Sequence, residues 1–306
     1  MVDAVETEKK KENGKCPNCE KDITLEEIKA ICTGKIGNKE ICLIEDDTLI
    51  KEAIPYLNKY RKKVAINTCL TKAHFLAQIS QESKFFQTQE RFKYTKPERM
   101  KALFISYFNQ FENDKDKEAK RLSELSLDKK NWPEIANAIY GPTHPEGKRS
   151  GHNNTDGWRY SGKGFKQITW KKNYETLEKY VKDNFGVEVI WVGGENPYKL
   201  KNNPKDAILS ALAYWENNEV WKVADEIEDS NEKNIKKIRR TVNGATAGWQ
   251  YAKKYFEKGI EVFKVNDCNP VESILSDGKW YDPVNNPRLT KYNYDGNIKP
   301  SSGTYG

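Results

Sequence analysis

Histidine is nearly absent from this chain: His74, His144 and His152 are the three in 306 residues. None has a second histidine or a carboxylate at ligand spacing, so a histidine-built metal centre is excluded, and no cofactor is expected for the chemistry. Long apolar runs are also missing. No window approaches the roughly 18 apolar residues of a membrane-spanning helix, so no membrane span is expected. The stretch Met1-Val-Asp-Ala-Val-Glu-Thr-Glu-Lys-Lys-Lys11 lacks the apolar core of a secretory leader; export would need a route without a classical signal peptide. Neither sign of charge forms blocks. Lys and Arg number 52 against 45 Asp and Glu, a net charge of +7 mixed along the sequence, whereas nucleic-acid binding calls for a concentrated basic stripe or a known module. No nucleic-acid partner is expected. The mild basic balance suits an anionic polymer as well as a plain lysine-rich surface. Serine-nucleophile and phosphate-loop motifs are absent.

Cysteine is scarce but suggestive. There are six: Cys16, Cys19, Cys32, Cys42, Cys69 and Cys268. Cys16-Pro-Asn-Cys19 has the spacing of a zinc knuckle, yet one such pair is half a site, and Cys32 and Cys42 would complete it at irregular spacing. An even count equally fits disulfides in an oxidising compartment. Zinc, disulfide and free thiols stay open at Cys16 and Cys19. Cys69 reads as a small buried hydrophobe on the core face of a helix.

The punctuation divides the chain into three parts: residues 1–22, a flexible lead holding the cysteine pair; 23–266, one catalytic domain; and 267–306, a linker or the start of a further domain. Thr24-Leu-Glu-Glu27 is a capping box, with Ile23 and Ile28 as its hydrophobic staple, opening a helix to about Cys32. A second helix is predicted over about 48–62, bent or restarted at Pro55, and a third over 69–84. The charged stretch 96–130 places Leu103, Phe104, Tyr107 and Phe108 at helical spacing, a packing stripe. Pro133 opens a short helix that Gly141 stops, and residues 142–156 read as a loop. Glycines at 157, 162 and 164 suit a small hairpin, whose following strand would put Gln167 and Thr169 on one face. Asn203 and Pro204 start an apolar helix with Ala207, Ile208, Ala211, Leu212 and Trp215 as its stripe, the expected central support. A last helix carries Trp249, Ala252, Phe256, Ile260 and Phe263.

The third helix holds the chemistry. Cys69, Ala73, Leu76 and Ile79 form an apolar face, while His74, Gln78, Gln81 and Glu82 recur at spacings of three and four. Polar groups on such a helix need a cleft to face or partners to bind. A carboxyl at Glu82 would be partly desolvated, which raises its proton affinity and suits a general acid. Glu90 follows eight residues on. Glycoside hydrolysis uses two carboxyls flanking the scissile bond, about 6.5–9.5 Å apart in an inverting enzyme. Eight helical residues rise about 12 Å, so the helix has to break before Glu90.

Three ordered blocks between about residues 23 and 263 resemble glycoside hydrolase family 19, the chitinase and endolysin family of the lysozyme superfamily. The first is Ala73, Phe75, Leu76, Ala77, Gln78, Glu82, Ser83, Glu90 and Tyr94. The second runs Asp156-Gly-Trp-Arg-Tyr-Ser-Gly-Lys-Gly-Phe-Lys-Gln-Ile-Thr-Trp-Lys-Lys-Asn-Tyr174, and the third is Val242-Asn-Gly-Ala-Thr-Ala-Gly248. The resemblance implies an α+β, predominantly α-helical, lysozyme-like fold with a small β-hairpin on one wall of the cleft. It implies Glu82 as proton donor and Glu90 as the base that activates water. Thr169 and Asn173 would position water and substrate, and Gln167 and Asn243 would contact sugar. Tyr94, Tyr160 and His74 join them as candidate substrate contacts, and Trp158 and Trp170 as candidate stacking residues. Gln81 stands where the family has a His, Lys163 where it has an Arg, Ala245 where it has a Gly and Ala252 where an Arg is common.

The expected substrate is a β-1,4-linked polymer containing N-acetylglucosamine, peptidoglycan or chitin. The segment Trp280-Tyr-Asp-Pro-Val-Asn-Asn-Pro287 resembles the lead-in to a lysostaphin-like peptidase domain, which together with the charge tilts the expectation toward bacterial cell wall. A bacterial protein delivered to the periplasm or wall, as an antibacterial effector, would meet a secretion-system or immunity protein; a monomer is expected. The alternative is a glycan-binding module of the same fold that no longer cuts, with Gln81 and Ala252 as its marks. A third reading makes the chain a structural or delivery component whose cysteine segment contacts a partner.

Overall fold

The computed structural model describes residues 16–111 and 113–268. The start of the charged lead and the peptidase-like segment lie outside the described residues. Thr24 caps α1 (Leu25–Ile31) as its sequence predicts: its hydroxyl accepts from the Glu27 N–H, and the Glu27 carboxylate accepts from the Thr24 N–H. Ile23 and Ile28 are both buried. Next come β1 (Thr33–Ile36) and β2 (Lys39–Cys42), antiparallel, with Thr33 opposite Cys42 and Ile36 opposite Lys39. α2 (Thr48–Tyr60) passes through Pro55 without breaking.

α3 (Cys69–Ser83) opens on a reciprocal pair, Thr68 and Thr71, each hydroxyl accepting from the other's backbone N–H. Every residue from Cys69 to Ser80 is buried, so this helix is enclosed on all sides instead of presenting a polar stripe to a cleft. It shares the central place expected for the helix that starts at Pro204. Along it lies α10 (Trp249–Val262), close enough that a Cβ at Gly259 would sit 2.8 Å from the Ala73 Cβ. Two small residues here let the backbones approach, which deepens burial of both faces.

A second, smaller core gathers Phe92, Met100, Tyr107, Phe108, Leu122, Trp132 and Ile135. It is built from α4 (Pro97–Leu103), the turn Ile105–Phe108, α5 (Lys115–Leu125) and α6 (Trp132–Ile139). The expected stripe splits: α4 ends at Phe104, leaving Leu103 half exposed while Tyr107 and Phe108 are buried. Then come α7 (Lys171–Tyr180), α8 (Pro204–Asn217) and α9 (Glu232–Asn243). Asn203 caps α8 by accepting from the Asp206 N–H, and Ala207, Ile208, Ala211, Leu212 and Trp215 are buried along it. Gly244, at φ +74°, stops α9.

The hairpin predicted around residues 157–170 is absent. Asp156–Arg159 is one helical turn, and beyond it only isolated bridges form, Gln89 with Lys163 and Lys163 with Ile168. Gly164, Gln167 and Trp170 take φ of +74°, +60° and +76°, and a strand cannot continue through left-handed residues. Among the described residues the one sheet is β1–β2. The class is nonetheless the expected one, predominantly helical α+β of lysozyme-like type.

Candidate functional site

The break required between Glu82 and Glu90 is present. Lys84 and Phe85 take φ of +50° and +59°, and two successive left-handed residues end α3 one position after Ser83. Phe85 is fully buried and packs at 5.9 Å from Phe165, which holds the strained turn in place. The chain then runs extended, and the Glu90 N–H donates to the Gly162 carbonyl at 2.8 Å.

Glu82 lies between two cations. Its Oε1 is 2.9 Å from Arg239 Nη1 and its Oε2 is 3.2 Å from Lys166 Nζ, all three side chains being largely buried. Arg239, from the last turns of α9, also donates to Gln78 Oε1 at 3.0 Å and to the Ala247 carbonyl at 3.3 Å. Lys166 sits 4.3 Å over the Tyr214 ring. The polar group at Gln78 thus finds its partner inside the protein. So does His74, fully buried, stacked on Phe256 at 3.8 Å with Nε2 against the Ile227 carbonyl at 2.7 Å. It offers no surface to a sugar.

Glu90 is held by neutral donors where Glu82 is held by cations. Glu90 Oε1 accepts from the Tyr140 hydroxyl at 2.8 Å and Oε2 from the Gly162 N–H at 2.9 Å. Burial pushes its proton affinity above the usual carboxylate range; the two hydrogen bonds and the nearby Lys163 charge oppose this without cancelling it. Lys163 is itself fully buried, donating to the Trp158 carbonyl at 2.8 Å and to Ser161. Burial lowers its pKa to about 7, against the pull of Glu90. Tyr94 and Tyr140 have their phenols pushed up by burial and then by the Glu90 charge, so both remain donors at neutral pH.

The connection from Gly162 to Lys166 touches both carboxyls. Gly162 leaves little room for a side chain: a Cβ there would lie 3.1 Å from Gln167 Oε1 and 3.2 Å from Glu90 Oε2. Gln167 is spent on the backbone, donating to the Gln87 and Gly164 carbonyls at 3.0 and 2.8 Å. Its amide nitrogen therefore ties residues 87, 164 and 167 together. Thr169 is partly exposed, and the exposed Asn173 donates to its carbonyl at 2.8 Å; these two stay together. Tyr94 is partly buried with its ring edge-on to Phe104 at 5.4 Å. Asn243 is exposed at the end of α9, its Oδ1 accepting from the Ala245 N–H. Tyr160 is 1% exposed, and its hydroxyl accepts from the Gly193 N–H at 3.0 Å, so it packs instead of stacking on sugar.

Tyr140, Lys166 and Arg239 escaped sequence reasoning. Lys166 lies inside the second motif block, between the glycines and Gln167, and Arg239 one turn before Asn243-Gly244, where a cation inside a motif was the available signal. Tyr140 carries none beyond ending a helix. Gln81 also acquires a place, since a Cβ at Gly248 would fall 2.2 Å from its Nε2: the amide packs against the glycine that precedes α10.

No protein-family model matches the chain. Over 116 residues it is 30% identical to a glycosyl hydrolase family 19 domain-containing protein of Haemophilus influenzae, covering 37% of this chain and 46% of that protein. The match therefore spans about half of that relative's length. It is a distant similarity to a glycoside hydrolase, of the same kind as the motif resemblance.

Proposed function

We propose that the chain is an inverting glycosidase acting on β-1,4 bonds of a polysaccharide containing N-acetylglucosamine, peptidoglycan or chitin. The observation that carries this reading is the Gly162–Lys166 connection, whose backbone holds Glu90 at one end while its Lys166 ammonium holds Glu82 at the other. Two carboxyls kept in place from one short segment, with different surroundings, are what acid and base roles require. Glu82 protonates the leaving oxygen, and Glu90 takes the proton of a water that attacks the anomeric carbon from the opposite face. That step breaks the glycosidic C–O bond and forms one new C–O bond, with no covalent enzyme intermediate. Tyr140 and the Gly162 N–H fix both Glu90 oxygens, which orients the base. Thr169 and Asn173 stand at the partly exposed side as candidates for holding the water and the sugar. The basic surface balance favours anionic cell wall over chitin.

The enclosure of Glu90 favours a second assignment with the roles exchanged, because a carboxyl that holds its proton is a better acid. Chemical rescue separates the two. Under the primary assignment, Glu82→Gln keeps activity on an aryl glycoside whose leaving group needs no proton, and azide restores Glu90→Ala by replacing the activated water. The opposite pattern exchanges the roles. Binding of purified peptidoglycan or chitin oligomers with no release of fragments by the unaltered protein would replace catalysis by glycan binding.

A further inference from the structure

Four cysteine sulfurs from three distant parts of the chain converge. The Sγ atoms of Cys16, Cys19, Cys69 and Cys268 all lie within 4.8 Å of one another, with 3.3 Å from Cys19 to Cys268, 3.6 Å from Cys19 to Cys69 and 4.0 Å from Cys16 to Cys69. A tetrahedron of sulfurs about 2.3 Å from a central zinc has edges of about 3.8 Å, whereas disulfide sulfurs are about 2.05 Å apart. The separations match the first arrangement and exclude a bond within any of these pairs. Cys19, Cys69 and Cys268 are buried and Cys16 is partly so. Cys32 and Cys42, whose spacing made them an irregular completion of the pair, are not in the group. We propose that these four cysteines bind one zinc ion, joining the segment before α1, the first turn of α3 and the chain just beyond α10.

The surroundings are built for an anionic centre. Four thiols binding Zn²⁺ release four protons and leave a net charge of −2. Arg61, fully buried, donates to the carbonyls of Cys19, Glu20 and Lys21 at 3.4, 3.2 and 3.0 Å. Lys72, 1% exposed, donates to the Asn18 carbonyl at 2.9 Å. Two buried cations therefore clasp the backbone of the Cys16–Cys19 turn, where a dianionic centre offsets the cost of burying them. The Cys69 N–H donates to Cys19 Sγ at 3.3 Å, and Cys69 is the first residue of α3, where the helix N-terminus stabilises thiolate. Sequence showed half a site because the other ligands lie 50 and 249 positions from Cys19.

The test is metal analysis of the full chain, purified without chelator from zinc-supplemented cells. The expected result is about one zinc per chain, reduced roughly tenfold or more in Cys19→Ser and Cys268→Ser and unchanged in the exposed-site control Cys42→Ser. Cobalt exchanged into the unaltered chain should give thiolate charge-transfer and tetrahedral d–d absorption, a readout independent of how the variants fold and of any hydrolysis. The proposal is overturned by zinc below about 0.1 per chain, by stoichiometric iron instead, or by intact-mass loss of two hydrogens mapping to a disulfide among the four.

Discussion

At the scale of single residues, the site is governed by how each carboxyl is partnered. Glu90 has one donor on each oxygen, and removing one has a signed consequence. Tyr140→Phe deletes a hydrogen bond that favours the ionised form, so the acidic limb of kcat/KM should move to higher pH, with activity near pH 6 falling about tenfold or more, as for lost hydrogen bonds to charge. A limb that stays in place would remove Tyr140 from the machinery. Gly162→Ala places a methyl 3.1–3.3 Å from Gln167 and Glu90 side-chain atoms. Both must shift by a few tenths of an ångström, and kcat should fall by about tenfold to a hundredfold while Tm changes little; steady-state kinetics beside a melting curve reads both. Motif spacing singles out the two glutamates. Their environments were not legible, since the cations on Glu82 come from residues 84 and 157 positions away.

At the scale of elements, α3 and its termination decide the geometry. Lys84 ends the helix in a left-handed conformation that costs a non-glycine residue about 1 kcal/mol. Lys84→Gly should therefore leave thermal stability equal or raise it slightly, whereas Phe85→Ala, emptying a fully buried site, should cost about 3–5 kcal/mol. Denaturant unfolding compares the two. Helices were readable where caps announce them, as at Thr24 and Asn203, and the need for a break after Glu82 followed from helical rise alone. The hairpin at 157–170 was misread because alternation in Phe165-Lys-Gln-Ile-Thr-Trp170 resembles a strand, while Gln167 and Trp170 adopt positive φ that sequence does not announce. The enclosure of α3 was missed for a related reason: His74 and Gln78 look cleft-facing until the Ile227 carbonyl and Arg239, far along the chain, bond His74 Nε2 and Gln78 Oε1.

At the scale of the whole molecule, a large core around α3, α8 and α10 and a smaller one around α6 meet near Glu90, whose Tyr140 partner packs against the smaller core. Under the proposed roles this position links catalysis to stability. Glu90 holds its proton more tightly folded than unfolded, so its stabilising contribution is fully present below about pH 4.5 and is lost as pH rises through the raised value. Relative to Glu90→Gln, the unaltered protein should lose Tm as pH rises above about 4.5; parallel pH profiles would contradict the enclosure of that carboxyl. The most direct test of the account is proton NMR of the first products released from a β-1,4-linked N-acetylglucosamine oligomer. The account predicts the α-anomer at the earliest times, formed by the unaltered protein and not by Glu82→Gln. Initial release of the β-anomer, or undiminished release by Glu82→Gln, would contradict it.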